Sequence, residues 1–258
     1  MRAVCLIRLF VMLLLAFSVG RLQGQVQPSN PSQTGALREE LAGLSAWRAG
    51  QTVSEAAVAT YGYARCFRAE AISDSIFQRM QGRSYREGCP ISRDSLRYLC
   101  LLHRDVTGAI WMGELVCHVA ISEDLLQIFK ALYEAAYPIE RMRLIDCYEG
   151  DDERSMAANN TSGFNYRRVA GSQKLSSHSL GLAVDVNPLY NPYVRRRGDG
   201  SLLISPKEGE SYADRSAQFP YKIDRDDLCY RLFRQHGFQW GGSWQRVKDY
   251  QHFEKKLE

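Results

Sequence analysis

The sequence contains no Cys-x-x-Cys pair, no uninterrupted apolar run of the ~20 residues a membrane span needs, and no Gly-x-Ser-x-Gly elbow. It also lacks an internal repeat. The first absence argues against a structural zinc knuckle and a thioredoxin-like centre, and the third argues against a serine hydrolase. Charge of one sign is scarce as well: 33 basic and 29 acidic residues leave a formal charge of +4. Nothing in that balance favours nucleic acid or a polybasic membrane contact as a partner. Arg195-Arg196-Arg197 is a short basic run of the kind found in solvated loops.

Arg2 and Arg8 precede an apolar run from Leu9 to Val19, followed by small residues at Ser18, Gly20 and Gly24. This is the pattern of a secretory signal, expected over residues 1–24, with no membrane span left after cleavage. Removing it takes away Arg2, Arg8 and Arg21 and lowers the formal charge from +4 to +1. Cys5 goes too, leaving Cys66, Cys89, Cys100, Cys117, Cys147 and Cys229. An even count in an exported chain permits disulfides, but residue order alone leaves their pairing open, and buried free thiols fit as well.

Residues 25–36 are read as a flexible leader and Leu37–Ala49 as a helix ending before Gly50. Ser95–Leu102 and Ile110–Cys117 read as the two strands of a hairpin. Ser122 is the expected N-cap of a helix that Pro138 stops, with Leu125, Leu126, Phe129, Leu132 and Tyr133 at helical spacing. Met142–Ile145 reads as a strand, 151–171 as a loop, Leu182–Val186 as a strand with two unlike faces, and 187–219 as a long loop. Asp224–Gln235 reads as a helix closed by Gly237, with short strands at Phe238–Gly242 and Tyr250–Phe253. Asn159 and Asn160 begin overlapping glycosylation sequons, read as chance matches. Helices and hairpin-linked strands without strict alternation indicate an α+β fold: a small antiparallel sheet with flanking helices.

The chemistry concentrates in two pairs. His178 and Asp185 stand seven residues apart in Ser-Ser-His-Ser-Leu-Gly-Leu-Ala-Val-Asp, and Asp249-x-x-His252 lies near the C-terminus. Two imidazoles and a carboxylate can hold a metal by three ligands and leave a position open. Asp185 sits between Val184 and Val186, and a buried carboxylate is costly unless paired or metal-bound. His103 and His118 are expected to be structural, and His236 to complement a helix C-terminus.

Ser176-x-His178-x-x-Gly181-x-Ala183-x-Asp185 followed by Asp249-x-x-His252 resembles the zinc peptidases that cleave bacterial cell-wall peptides. That family includes D-alanyl-D-alanine carboxypeptidases, related dipeptidases and L-alanyl-D-glutamate endopeptidases. The resemblance runs from Phe164 to Glu254 through Phe164-Asn165-Tyr166-Arg167, Gly171-Ser172, Asn187-Pro188, Asn191-Pro192-Tyr193, Gly237-Phe238 and Trp240-Gly241-Gly242-x-Trp244. It implies one zinc per chain held by His178, Asp185 and His252, with Asp249 as general base. Arg167 matches the arginine that binds the polarised carbonyl or oxyanion; Arg168 is its neighbour. Ser176, Tyr193, Trp240 and Trp244 are weaker candidates for the substrate groove, with Ser176 also placed to hydrogen-bond near the ligand loop. One departure is Asp249-Tyr250-Gln251-His252, where several carboxypeptidases carry Glu and Trp-His; the endopeptidase branch uses Asp.

The implied fold is that of the hedgehog-like zinc peptidases, with the peptidase domain over 51–258, its motif-bearing core at 159–258 and a leader plus helix at 25–50. The implied function is exported hydrolysis of peptidoglycan stem peptides, in the periplasm or outside a bacterial cell, by a monomer. D-alanyl-D-alanine carboxypeptidase is the first reading and L-alanyl-D-glutamate endopeptidase the alternative. A non-catalytic, zinc-stabilised wall-binding or partner-binding module is the reading from another class.

Overall fold

The computed structural model describes residues 31–169 and 172–257, so the expected signal at 1–24 lies outside the described residues. In chain order come α1 (Pro31–Ala46), β1 (Thr52–Val53), α2 (Glu55–Tyr61), β2 (Arg68–Ala71) and α3 (Asp74–Met80). The hairpin β3 (Leu96–Arg104) and β4 (Ile110–His118) follows, then α4 (Val119–Glu134), β5 (Arg141–Met142), α5 (Asp152–Ala157) and β6 (Asn160–Thr161). The last third holds β7 (Ala183–Asp185), β8 (Tyr193–Arg196), β9 (Leu202–Ser205), α6 (Leu228–Gln235), β10 (Gln239–Trp240), β11 (Lys248–Asp249) and β12 (His252–Glu254). The fold is α+β. It has a four-stranded antiparallel sheet in the order β1-β4-β3-β2, two three-stranded antiparallel sheets, β10-β12-β7 and β11-β8-β9, and the parallel pair β5-β6.

The β3–β4 hairpin divides the interior. Successive side chains of a strand point to opposite faces, and here both faces are covered. Leu99, Leu101, Leu115 and Cys117 join α4 and α6 in one core. Tyr98, Cys100, Leu102, Met112 and Val116 join Leu44 of α1 and Val58 of α2 in the other. The near-continuous apolar run of β3 follows from burial on both sides. The first core extends to the site-bearing sheet, where the Phe233 ring of α6 stacks on Phe253 of β12 at 4.2 Å and meets Phe129 of α4 edge-on at 6.1 Å.

Several elements depart from the sequence reading. The helix after the hairpin is capped by His118, whose Nδ1 accepts from the Ala120 amide at 3.1 Å; Ser122 lies one turn inside. β4 runs straight into α4, so the last strand residue already has the extended backbone a cap requires. Helix α1 begins at Pro31, inside the expected leader, and ends at Ala46, where Trp47 turns to positive φ. Residues 141–148 form β5 and a 3-10 turn rather than a four-residue strand. The expected loop 151–171 contains α5, which Asp151 caps by accepting from the Arg154 amide at 3.1 Å. The expected loop 187–219 contains the β8–β9 hairpin, and α6 starts at Leu228 behind the cap Asp227. These elements are too short for periodicity to reveal them.

All six described cysteines are free thiols. Asn159 and Asn160 are buried, and Asn160 bonds the Arg143 backbone and the Ser155 hydroxyl, so both sequon asparagines serve the fold. Among the described residues, no helix is long and apolar enough to cross a membrane.

Candidate metal centre

β7 and β12 pair antiparallel in a register that sets His252 directly opposite Asp185. Opposed residues of an antiparallel pair share a face with Cβ atoms about 5 Å apart, so two candidate ligands separated by 67 positions become cross-strand neighbours. His178 arrives on the 3-10 turn Ser177–Leu180, which Ser176 caps by accepting from the His178 amide at 3.3 Å. Gly181 ends that turn at φ +67°, and a Cβ there would stand 2.6 Å from the His118 amide nitrogen. Only glycine can take that left-handed conformation against β4, so Gly181 turns the chain from His178 into β7.

The three side chains are buried and converge. One ligand atom from each of His178, Asp185 and His252 lies within 4.8 Å of the others. Asp185 Oδ2 is 3.1 Å from His178 Nε2, Asp185 Oδ1 is 3.1 Å from His252 Nδ1, and the two ring nitrogens are 3.2 Å apart. His178 Nδ1 is 2.7 Å from the Gly163 carbonyl oxygen, which can only accept. A neutral His178 therefore keeps its proton on Nδ1, and Nε2 is the nitrogen that faces the cluster. His252 presents Nδ1 to the cluster, with Nε2 3.4 Å from Glu254 Oε2. Such outer carboxylate and carbonyl partners are what metal-ligating histidines require.

Electrostatics follow from the burial. Desolvation opposes the Asp185 charge, but the adjacent imidazoles hold its carboxyl well below the usual carboxylate range. Burial would depress His252, yet its hydrogen bonds to Asp185 and Glu254 push its pKa up to about 10. Glu254 is drawn down to about 2, chiefly by its bond to His252. Without a cation the Asp185 charge is thus balanced by protonated imidazole. A divalent ion is the natural replacement for that proton, so the donor set fits a metal.

Asp249 stands at the edge of the cluster on β11, opposite Tyr193 of β8. Its Oδ1 is buried without a hydrogen-bond partner. Desolvation, with the Asp185 charge adding to it, raises the Asp249 pKa to about 6. Gly241 makes the approach possible: a Cβ there would lie 2.8 Å from Asp249 Cβ and 3.3 Å from His252 Cβ. The neighbouring Trp244 ring lies 5.3 Å from the His252 ring and is part-exposed, which places it on the rim. Tyr193 is part-exposed on the same edge.

The remaining candidates are placed differently. Trp240 is buried, donates from Nε1 to the Tyr250 carbonyl at 2.9 Å and packs edge-on against Tyr230, so its ring belongs to the core and not to a groove. Ser176 is buried as the cap of the turn that carries His178. Arg167 touches the ligand loop through its backbone: its amide donates to Ser179 Oγ at 2.8 Å and its carbonyl accepts from the Ser176 amide at 3.1 Å. Its guanidinium pairs through Nε with Asp152 of α5. Arg168 turns away to the Gln173 carbonyl. His103 bonds the Ile139 carbonyl, and His236 stands at the C-cap of α6, as expected for a histidine at a helix end, and also pairs with Asp124 of α4 at 3.0 Å. Glu254, Ser177, Asp152 and the Gly163 carbonyl were missed in the sequence. Only Glu254 had a signal, standing two residues beyond His252 on the same strand face.

Comparison with known proteins agrees with this geometry. The family model described as D-alanyl-D-alanine carboxypeptidase matches residues 170–255. Over that segment the chain is similar to this family. The matched residues contain the three clustered donors, Asp249, Glu254 and the Gly241 turn, whereas the β3–β4 hairpin and α1 to α6 apart from α6 itself lie before them. No curated protein and no solved structure matches the chain.

Proposed function

We propose that the chain is an exported zinc metallopeptidase that hydrolyses peptidoglycan stem peptides, with D-alanyl-D-alanine carboxypeptidase as the primary activity. The observation that carries this reading is the buried, unpartnered Oδ1 of Asp249 beside a His–Asp–His cluster. A pure binding module has no use for a buried carboxylate whose pKa is raised to about 6, whereas a general base has.

His178 Nε2, His252 Nδ1 and an Asp185 oxygen would hold the zinc. When bound, it would supply Lewis acidity and a water of lowered pKa. Asp249 accepts the proton of the attacking water and returns it to the leaving amine. Arg167, oriented by Asp152, is the donor proposed for the developing oxyanion. Trp244 and Tyr193 form the rim against which the peptide lies. Cleavage between L-alanine and D-glutamate is the second reading. One residue bears on it: Asp249 stands at the base position, where the endopeptidase branch and many exported relatives carry Asp and several carboxypeptidases carry Glu.

The deciding experiment is mass spectrometry of defined pentapeptide and tetrapeptide muropeptides incubated with purified protein, with and without a chelator. Chelator-sensitive loss of a terminal D-alanine is the expected result. Release of fragments cut after L-alanine would move the assignment to endopeptidase. No cleavage by a protein that retains zinc would replace it with a wall-binding module.

Zinc binding must displace the proton on His252 Nδ1. Its pKa of about 10 lies above the ordinary imidazole value, so below about pH 10 each ion bound expels about one proton. Apparent zinc affinity is therefore expected to rise about tenfold per pH unit between pH 7 and 9. Calorimetry in buffers of different ionisation enthalpy measures the released proton directly, and a buffer-independent enthalpy would contradict the assignment.

A further inference from the structure

We infer that Glu254 is a positioning residue that selects the ligating nitrogen of His252 and ties it to the turn carrying His178. The inference rests on the zinc reading of the site and concerns a residue that does not touch the metal.

Glu254 Oε2 is a shared acceptor: His252 Nε2 lies 3.4 Å from it, and Ser177 Oγ donates to the same oxygen. Ser177 immediately precedes His178, and Glu254 is two residues beyond His252 on β12. One carboxylate oxygen therefore joins the two loops that deliver the histidines. β12 holds Glu254 opposite Ala183 while His252 lies opposite Asp185, so the whole arrangement sits on one face of the β7–β12 pair. The small Ala183 leaves that face open for the Glu254 side chain, which retains 17% exposure against 7% for His252.

The consequence is tautomeric. A neutral imidazole carries one proton, and a carboxylate beside Nε2 keeps it there, leaving the Nδ1 lone pair for the metal. Without Glu254 the proton can occupy Nδ1, the nitrogen facing Asp185 and His178, and such a ring cannot ligate. There is also a charge effect. Two neutral imidazoles and one carboxylate leave a divalent cation only half neutralised, and Glu254 supplies further negative charge through His252.

The test compares wild type, Glu254→Ala, Glu254→Gln and Ser177→Ala. The readouts are zinc affinity by chelator competition, side-chain 15N shifts of His252 in the zinc-loaded protein, and thermal unfolding without metal. Glu254→Ala is expected to weaken zinc binding about 10- to 100-fold, the usual effect of losing an outer partner, and to move the His252 Nε2–H signal to the shift of an N–H without a carboxylate acceptor. Glu254→Gln keeps an acceptor and should restore part of that shift and part of the affinity. Ser177→Ala should fall between wild type and Glu254→Ala. Unchanged affinity in Glu254→Ala would overturn the inference. So would equal losses in the Ala and Gln variants matched by an equal loss of metal-free stability, since that pattern is structural. A wild-type protein that binds no zinc would instead overturn the metal reading itself.

Discussion

Replacing Asp249 by Asn is expected to lower turnover of a cleavable muropeptide about 10²–10⁴-fold, the range for loss of a positioned general base. Zinc content should be retained, because the three clustered donors are His178, Asp185 and His252. The asparagine amide is nearly the same size but cannot accept the proton. The acid limb of kcat/KM in the wild type should report the same group. Its pKa is raised to about 6 by burial and by Asp185, and a bound cation would pull it downward, so the limb is expected at or below about pH 6 and should vanish in the variant.

Stability should move the other way. A carboxylate whose folded pKa exceeds its unfolded value disfavours folding wherever it must ionise, so the penalty is absent below the unfolded pKa and fully present above about pH 6. Metal-free Asp249→Asn is therefore expected to unfold at a higher temperature than metal-free wild type at pH 7. Retention of full activity would remove Asp249 from the mechanism, while loss of zinc would make it a fourth ligand.

Glu114→Ala, far from the chemistry, is expected to be the most destabilising single substitution outside the metal centre. Glu114 on β4 is fully buried and accepts five bonds. Arg79 donates twice, at 2.7 and 2.8 Å, Arg143 at 3.0 Å, the Tyr98 hydroxyl at 2.8 Å and the Leu144 amide at 3.4 Å. Burial works against its charge, but the two guanidiniums more than compensate and hold its pKa below the ordinary value. Removing the carboxylate leaves a hydroxyl and an amide unpaired inside and two cations facing each other. Losing one partner of a buried pair costs about 3–5 kcal/mol. Arg79 and Arg143 retain 37% and 33% exposure and can turn to water, which puts the cost near about 3 kcal/mol.

For a chain of this size that is a fall of about 6–12 °C in Tm. The sign with pH also follows. The folded pKa is depressed, so the stabilisation is present above the unfolded pKa and disappears as the pH falls through the folded one. The gap between wild type and Glu114→Ala should therefore narrow in acid. A variant that unfolds with the wild type at pH 7 would show the network to be dispensable.

The sequence alone determined the parts that short-range chemistry encodes. Strands β3 and β4, helix α4 and the strand carrying Asp185 are legible because β-branched and aliphatic runs and 3.6-residue spacing bury one face whatever the neighbours are. The pairs His178/Asp185 and Asp249/His252 are legible only together, as one ordered set of motifs that resembles a known peptidase family; either pair alone reads as an ordinary loop or turn. What the sequence could not supply is register. Asp185 faces His252 because β7 pairs with β12 at one offset among several, an offset at which Phe253 packs on Phe233 of α6.

The same cause hid Asp152 and the Ser177 contact of Glu254, whose partners lie on other segments, and misplaced Trp240, since an aromatic residue beside glycines looks alike in a groove and in a core. Short elements such as α5 and the β8–β9 hairpin escaped because they hold too few residues to show a period. Local pattern and the family resemblance named the candidate ligands; only the tertiary structure decided that His178, Asp185 and His252 converge, because that convergence depends on contacts between segments far apart in the chain.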